Sequence, residues 1–157
     1  VGGVALDLVN PAMIKQQFAH MKRIKGFQGV MIQEFVTGEF LLLGLKKDPT
    51  FAHTVAIGSG GIYTELLQDV SFRVCPVDLK DAEEMLEELK IYPMLKGARG
   101  GKDVRKEVAH LLVRLSQMAQ QYPMITELDI NPLILHQDRV FVADARMVVD
   151  DELSRTP

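Results

Sequence analysis

The sequence predicts an α+β fold, a largely antiparallel sheet packed with helices, and three observations carry that expectation. Short apolar segments bounded by Gly, Pro, Asn and Asp recur between residues 30 and 74 and return after residue 126. Two stretches, from Asp78 to before Pro93 and from about Asp103 to Gln121, repeat apolar residues at helical spacing. Strands follow one another in runs instead of alternating singly with helices, as an antiparallel sheet requires. At 157 residues and 47% hydrophobic content, the chain suits one domain with a core of its own. We expect that domain to occupy residues 1–150, with 151–157 as a tail or linker.

Val4 to Val9 alternates as a strand should, and Asn10-Pro11 then supplies an N-cap followed by proline at the first helical position. The helix that follows should reach about Lys25, with Ile14, Phe18, Met21 and Ile24 at helical spacing and Gly26 closing it. Val30 to Val36 is the next expected strand, Thr37-Gly38 a turn, and Phe40 to Lys46 a strongly apolar strand ending at Asp48-Pro49. Thr54 to Ile57 is a short strand leading into Gly58-Ser59-Gly60-Gly61, and Leu66 to Val74 should be extended up to Pro76. Asp78 caps a helix that carries Ala82, Met85, Leu86 and Leu89 on one face. Gly97 to Gly101 reads as loop. The longest helix places Val104, Val108, Leu111, Leu112, Leu115, Met118 and Ala119 on one stripe, which is core. A terminal hairpin closes the chain, from Glu127 through a turn at Gln137-Asp138 to the strand before Asp144, with Pro132 marking a break or an edge.

Net charge −3 and a pI near 5.8 leave no electrostatic footprint for nucleic acid. No signal peptide, lipidation motif or membrane-spanning run appears, and one cysteine, Cys75, forms no internal disulfide, so a cytoplasmic protein without a membrane partner is expected. Cys75 beside Pro76 reads as an inert buried thiol. His20, His53, His110 and His136 lack the spacing of a zinc site, and no Ser/His/Asp or Cys/His arrangement is legible. The eight methionines are scattered and fill core gaps. Val1 opens directly on a strand-like segment, as if the domain were cut from something longer.

The terminal hairpin would bring Asp129, Asn131 and Asp144 within reach of one another. Two carboxylates and an amide oxygen suit a hard divalent cation such as Mg²⁺, which prefers oxygen and keeps waters or phosphate oxygens in its remaining positions. Solvated acids at strand ends are the plainer reading of the same residues. Gly58-Ser59-Gly60-Gly61 lets backbone N–H groups converge on an anion, or is simply a turn; no Gly-Lys-Ser/Thr closes it, which excludes a P-loop. Gln33-Glu34-Phe35-Val36 either offers backbone groups to a purine edge or forms an ordinary hairpin arm. Arg99, in Gly97-Ala98-Arg99-Gly100, either grips phosphate or carboxylate or is solvated.

Taken in order, Gly2-Gly3-Val4, Gln33 to Val36, Asp48-Pro49-Thr50-Phe51, Gly60-Gly61 with Glu65 and Asp69, Ser71-Phe72-Arg73-Val74, Gly97 to Gly100, Glu127-Leu128-Asp129-Ile130-Asn131-Pro132 and Asp144-Ala145-Arg146 resemble the ATP-grasp domain of ADP-forming acyl-CoA synthetases, relatives of the succinyl-CoA synthetase β subunit. The resemblance spans nearly the whole chain, and Glu-Leu-Asp-Ile-Asn-Pro is its most specific motif. It implies the second half of an ATP-grasp fold, with a nucleotide-contacting lysine upstream of Val1, so that the chain is a fragment inactive alone. It further implies ATP/ADP and Mg²⁺ as cofactors, an adenine contact at the interdomain hinge Gln33, Glu34, Phe35 and Val36, and Gly60 and Gly61 near the phosphates. Asn131 and Asp144 would hold the metal, with Asp129 close by. The implied reaction is acyl-CoA + phosphate + ADP ⇌ carboxylate + CoA + ATP, relayed by a phosphohistidine on a CoA-binding partner subunit or domain.

Three departures from the family pattern stand out. Relatives usually have Phe-Gly-Pro where this chain has Phe51-Ala52-His53, and the bulkier residue would tighten the backbone before Gly58 to Gly61. Their strand glutamate lies four residues before the glycine matching Gly44, a place held here by Phe40, with Glu39 one position early; either a bulge restores Glu39 or its role is lost. Ser59 stands where leucine is common, a tolerable change. The first two lend weight to a rival from another class, a ligand-sensing module without turnover fused to a protein-lysine acetyltransferase. Asp129, Asn131 and Asp144 favour the enzyme.

Overall fold

In the computed structural model, which describes residues 2–60, 69–97 and 102–150, the chain divides into two compact units, Val1–Val36 and Thr37–Pro157. The first is built on helix α1 (Pro11–Met21). Asn10 is extended and its Oδ1 accepts the Met13 amide at 3.0 Å, which satisfies one of the orphan N–H groups that Pro11 does not have to supply. The helix stops at Met21, short of Lys25, because the following amides of Arg23 and Ile24 turn back to His20 and Met21. Gly26 then takes a left-handed φ of +83°, and Phe27 packs edge-on against Phe18.

Neither 4–9 nor 30–36 forms a strand, contrary to their alternation. A strand exists only where its N–H and C=O groups meet a neighbour, and among the described residues neither segment is paired with one. Most of their apolar side chains are exposed, Val4 at 81% and Met31 at 83%, while Leu8 and Val36 are half-buried.

The second unit is a six-stranded sheet, every pair antiparallel: β1 (Glu39–Asp48), β2 (Ala52–Ser59), β3 (Val70–Val74), β4 (Ile125–His136), β5 (Arg139–Val142) and β6 (Ala145–Val149). The order is β3-β2-β1-β4-β5, with β6 also on β4. β4 pairs with β1 along one edge and is long enough to serve two partners along the other, β6 along Ile125–Ile130 and β5 along Leu133–His136, with Pro132 at the changeover. The expected break is thus a switch of partner within one strand.

Helices α2 (Leu79–Glu87) and α4 (Arg105–Gln121) cover one face of the sheet, with the single turn α3 (Tyr92–Leu95) between them. Side chains alternate across a strand, so Leu41, Leu43, Leu45, Val55, Ile57, Leu128 and Ile130 all fall on the helix side, where they meet Met85, Leu86, Val108 and Leu112. Burying each such side chain contributes roughly 1.5–3 kcal/mol. Asp78 and Asp81 form a reciprocal capping box on α2, as the sequence predicts from Asp78. The turn α3 is unexpected, because Pro93 reads as a stop when it in fact lies in a first helical turn, where its missing N–H costs nothing.

Polar side chains join the layers. Asp69, buried, accepts the amides of Lys90 and Ile91 just beyond α2, and Ser116 on α4 accepts the Val77 amide at 2.7 Å. Glu88 receives Ser71 and pairs with Arg73 of β3; these hydrogen bonds hold its carboxyl below the usual range. Cys75 is half-buried and not fully buried as expected, and desolvation still pushes its thiol up, away from the reactive thiolate. Residues 61–68, 98–101 and 151–157, including Gly61, Arg99 and the expected tail, lie outside the described residues. No helix among the described residues is long and apolar enough to cross a membrane.

Candidate metal and phosphate site

The face of the sheet opposite the helices is where the polar residues singled out in the sequence meet. By register, Leu42, Gly44 and Lys46 of β1, Thr54, Ala56 and Gly58 of β2, Phe72 and Val74 of β3, and Glu127 and Asp129 of β4 share that face. Phe72 is 62% exposed there, so this side is open within the unit.

Asn131 and Asp144 stand side by side at one border of this face. The Asn131 amide donates to the Asp144 carbonyl at 3.2 Å, and Ala143 donates to the Pro132 carbonyl at 3.1 Å, which ties the end of the β4–β6 ladder. Both side chains are exposed. Asp144 Oδ1 accepts the Ala145 amide at 2.9 Å, which orients the carboxylate and leaves Oδ2 uncommitted by any described hydrogen bond. Asp129, half-buried, lies two residues before Asn131 on the same strand, directly opposite Arg146 of β6 and Gly44 of β1.

This donor set fits Mg²⁺ in kind and number. Among the described residues no group of three or more His, Cys, Asp or Glu side chains is placed to hold a metal. What Asp129, Asn131 and Asp144 carry is two carboxylates and one amide oxygen, all hard donors, a set of the kind taken by a cation that uses one or two carboxylates and completes its shell with water and substrate phosphate.

The other sequence candidates fare differently. Gly60 is buried, and its amide already donates to the Phe40 carbonyl at 2.8 Å, so it is not a free phosphate donor. A Cβ there would come within 2.9 Å of the Phe40 and Leu41 carbonyl carbons, so close strand packing demands this glycine. Gly61 lies outside the described residues. Gln33, Glu34, Phe35 and Val36 form an irregular segment at the end of the first unit, with Phe35 exposed.

The departures now have structural explanations. Ala52 adopts φ +66°, a conformation that favours glycine, and His53 is 5% exposed with Nε2 donating to the Ile125 carbonyl at 2.7 Å. His53 is the second residue of β2, five residues from Gly58, so the expected tightening of the glycine segment does not arise; the imidazole instead fastens β2 to the start of β4. Glu39 is not restored by a bulge. The irregularity between β1 and β4 places Asn131 and Pro132 against the single residue Leu42, so the extra residue belongs to β4 and β1 keeps its alternation. Phe40 falls on the open face with Leu42, and Glu39 on the parity of Leu41.

Two residues on the open face were not legible as site residues. Arg146 is part of a quoted motif, but its place opposite Asp129 follows from the β4–β6 register. Lys46 shares a row with Glu127 for the same reason. A separate groove of about 690 Å³ lies between α4 and β5, lined by Lys106, His110, Arg114 and Phe141 among others, away from these oxygens on the helix-bearing side.

Comparison with known proteins shows the family. A family model described as an ATP-grasp domain matches residues 1–149. The β subunit of acetate–CoA ligase [ADP-forming] I of Pyrococcus furiosus is 38% identical over 157 residues, covering 94% of this chain and 68% of that protein. Acetate–CoA ligase [ADP-forming] I of Archaeoglobus fulgidus is 36% identical over 161 residues, covering 98% of this chain but 24% of that protein. Among solved structures, a Ca. Korarchaeum cryptofilum acetyl-coenzyme A synthetase 1, described as dinucleotide forming and bound to coenzyme A and Mg-AMPPCP, superposes with a TM-score of 0.82 at 34% identity, over 94% of this chain and 68% of that one. The chain thus spans about a quarter of one relative's length and about two thirds of another's.

Proposed function

The chain belongs to the ATP-grasp domain family, and on that premise we propose that Asn131 and Asp144, with Asp129 beside them, hold Mg²⁺ against the phosphates of ATP or ADP in an ADP-forming acyl-CoA synthetase. The observation that carries this reading is the hydrogen bond from the Asn131 amide to the Asp144 carbonyl, which sets two exposed oxygen-bearing side chains on neighbouring strand segments at one border of an open sheet face. The solved relative with Mg-AMPPCP supports it. The metal, when bound, neutralises phosphoryl oxygens and so eases in-line transfer. This chain's residues position and balance charge: Asp144 is fixed by the Ala145 amide, and Asp129 adds a second carboxylate two residues from Asn131.

The rest of the proposal comes from the family resemblance and not from a distance. Gln33, Glu34, Phe35 and Val36 contact adenine through backbone groups. Gly61 lies near the phosphates, and Gly60, packed against Phe40 and Leu41 just after β2, is the residue before it. The overall reaction is acyl-CoA + phosphate + ADP ⇌ carboxylate + CoA + ATP, with the phosphohistidine supplied by a CoA-binding subunit or domain. The relatives reported above are ligases, which favours turnover over a ligand-sensing module.

The test is ATP formation from ADP, phosphate and acetyl-CoA by the full-length protein with its partner, with Mg²⁺ varied. Asp144→Ala should lower Mg²⁺-dependent activity by at least about 100-fold, the loss of about 2.7 kcal/mol or more of transition-state stabilisation. An unchanged Mg²⁺ dependence in that variant would overturn the assignment.

A further inference from the structure

One row of the open face runs Phe72–Ala56–Gly44–Asp129–Arg146 across five strands. Gly44 is in the middle of β1, where glycine has an entropic cost and packs nothing. The fold does not demand it. Its φ is ordinary, and an added Cβ would meet only the Ala56 Cβ at 3.8 Å and the Leu128 carbonyl at 3.9 Å, both normal contacts. This contrasts with Gly58 and Gly60, where a Cβ would come within 2.9 Å of neighbouring atoms. A strand-interior glycine often marks a bulge, a bend or a place where a ligand or another backbone approaches, and here the neighbouring bulge has its extra residue in β4 and not in β1.

At the end of the same row stands Arg146, exposed, with its Cα directly opposite Asp129 and two residues beyond Asp144. Among the described residues it makes no ion pair, although a carboxylate faces it across the ladder. Guanidinium groups favour bidentate contact with carboxylate or phosphate oxygens. Arg146 and the bare backbone at Gly44 flank Asp129 on either side, so an anion held by the guanidinium and a cation held near Asp129 would lie in one row with the open strand.

We propose that Gly44 and Arg146 are positioning residues for the nucleotide's phosphate tail: Gly44 lets it lie close on β1, and Arg146 binds phosphate oxygens that the cation at Asn131 and Asp144 does not. This rests on the Mg²⁺–nucleotide reading above and deepens it. The residues act by binding and orientation, and no bond to them is made or broken.

Calorimetric titration of the full-length protein with ADP and with adenosine, each in Mg²⁺, tests the assignment in wild type, Gly44→Ala, Arg146→Ala, Arg146→Lys and Asp144→Ala. Arg146→Ala should weaken ADP about 10- to 100-fold, the range of a charge-assisted hydrogen bond, and leave adenosine within about twofold. Arg146→Lys should recover part of the loss. Gly44→Ala should raise Tm by about 2–4 °C, since Ala suits a strand interior better than Gly, and yet weaken ADP at least about fivefold. Opposite signs for stability and binding separate a ligand-facing glycine from a structural one. The proposal is overturned if both variants bind ADP within about twofold of wild type, or if Arg146→Ala weakens adenosine as much as ADP. If ADP binding fails in those ways while Asp144→Ala still removes its Mg²⁺ dependence, the row is wrong and the metal assignment stands; if Asp144→Ala has no effect, both fall.

Discussion

Replacing His53 by alanine separates what a departure from the family pattern does for the fold from what it does for the site. His53 is 5% exposed, and its Nε2 donates to the Ile125 carbonyl at 2.7 Å, joining the second residue of β2 to the first of β4. Truncation leaves that carbonyl without its donor, a cost of about 1–3 kcal/mol, and opens a space of a few heavy atoms that adds about 1 kcal/mol more. The sum is about 2–4 kcal/mol, and at roughly 4 °C per kcal/mol for a unit of this size Tm should fall by about 8–16 °C. His53 and Gly58 are separated along β2 by roughly 16 Å at the usual strand rise. Nucleotide affinity measured below the transition should therefore stay within about twofold of wild type. Urea unfolding monitored by circular dichroism, with ADP titration at low temperature, reads both quantities. A loss of stability below about 1 kcal/mol would falsify the buried-tether account, and a large loss of ADP affinity in the folded variant would mean that the start of β2 communicates with the site after all.

Two further perturbations have a defined sign. Ala52→Gly relieves a left-handed φ of +66° that costs an L-residue about 1–2 kcal/mol, against about 0.5–1 kcal/mol of added chain entropy, so a net stabilisation of about 0.5–1 kcal/mol should appear in urea melts; destabilisation would refute it. Asp103 takes hydrogen bonds from the Arg105 side chain and backbone, which lower its carboxyl to about 2. A carboxylate depressed in the folded state supports it above its ordinary value near pH 4, and that support disappears as pH falls toward 2. The pair is exposed, so its effect on stability is small and screened. Carboxyl NMR should place the Asp103 midpoint at about 2, and Arg105→Gln should return it toward about 4; a midpoint that Arg105→Gln leaves unmoved would refute the cause.

Much of the architecture lay in local pattern. The apolar runs of β1 and β2, the 3.6-residue stripe of α4, the Asn10 and Asp78 caps and the turn at Gln137-Asp138 each depend on a few neighbouring residues, and each appears where the chain predicts it. The segments 4–9 and 30–36 show the limit of such reading. Alternation states a preference for strand, but hydrogen bonds from elsewhere must complete it, and within the described residues none do.

For the site, the residue types in Glu127 to Pro132 and in Asp144 to Arg146 were enough to name oxygen donors and the metal they suit, because ligand chemistry belongs to the side chain. Their order along the chain also carried the family resemblance. Which donors face the same way was not in the sequence. The register that sets Asp129 between Gly44 and Arg146 depends on pairings 85 and 17 residues away, and because the extra residue opposite Leu42 falls in β4, β1 keeps its alternation and puts Phe40 and not Glu39 on the open face. A slip of one residue exchanges the two faces of a strand, so only the assembled sheet could decide which side chains are neighbours.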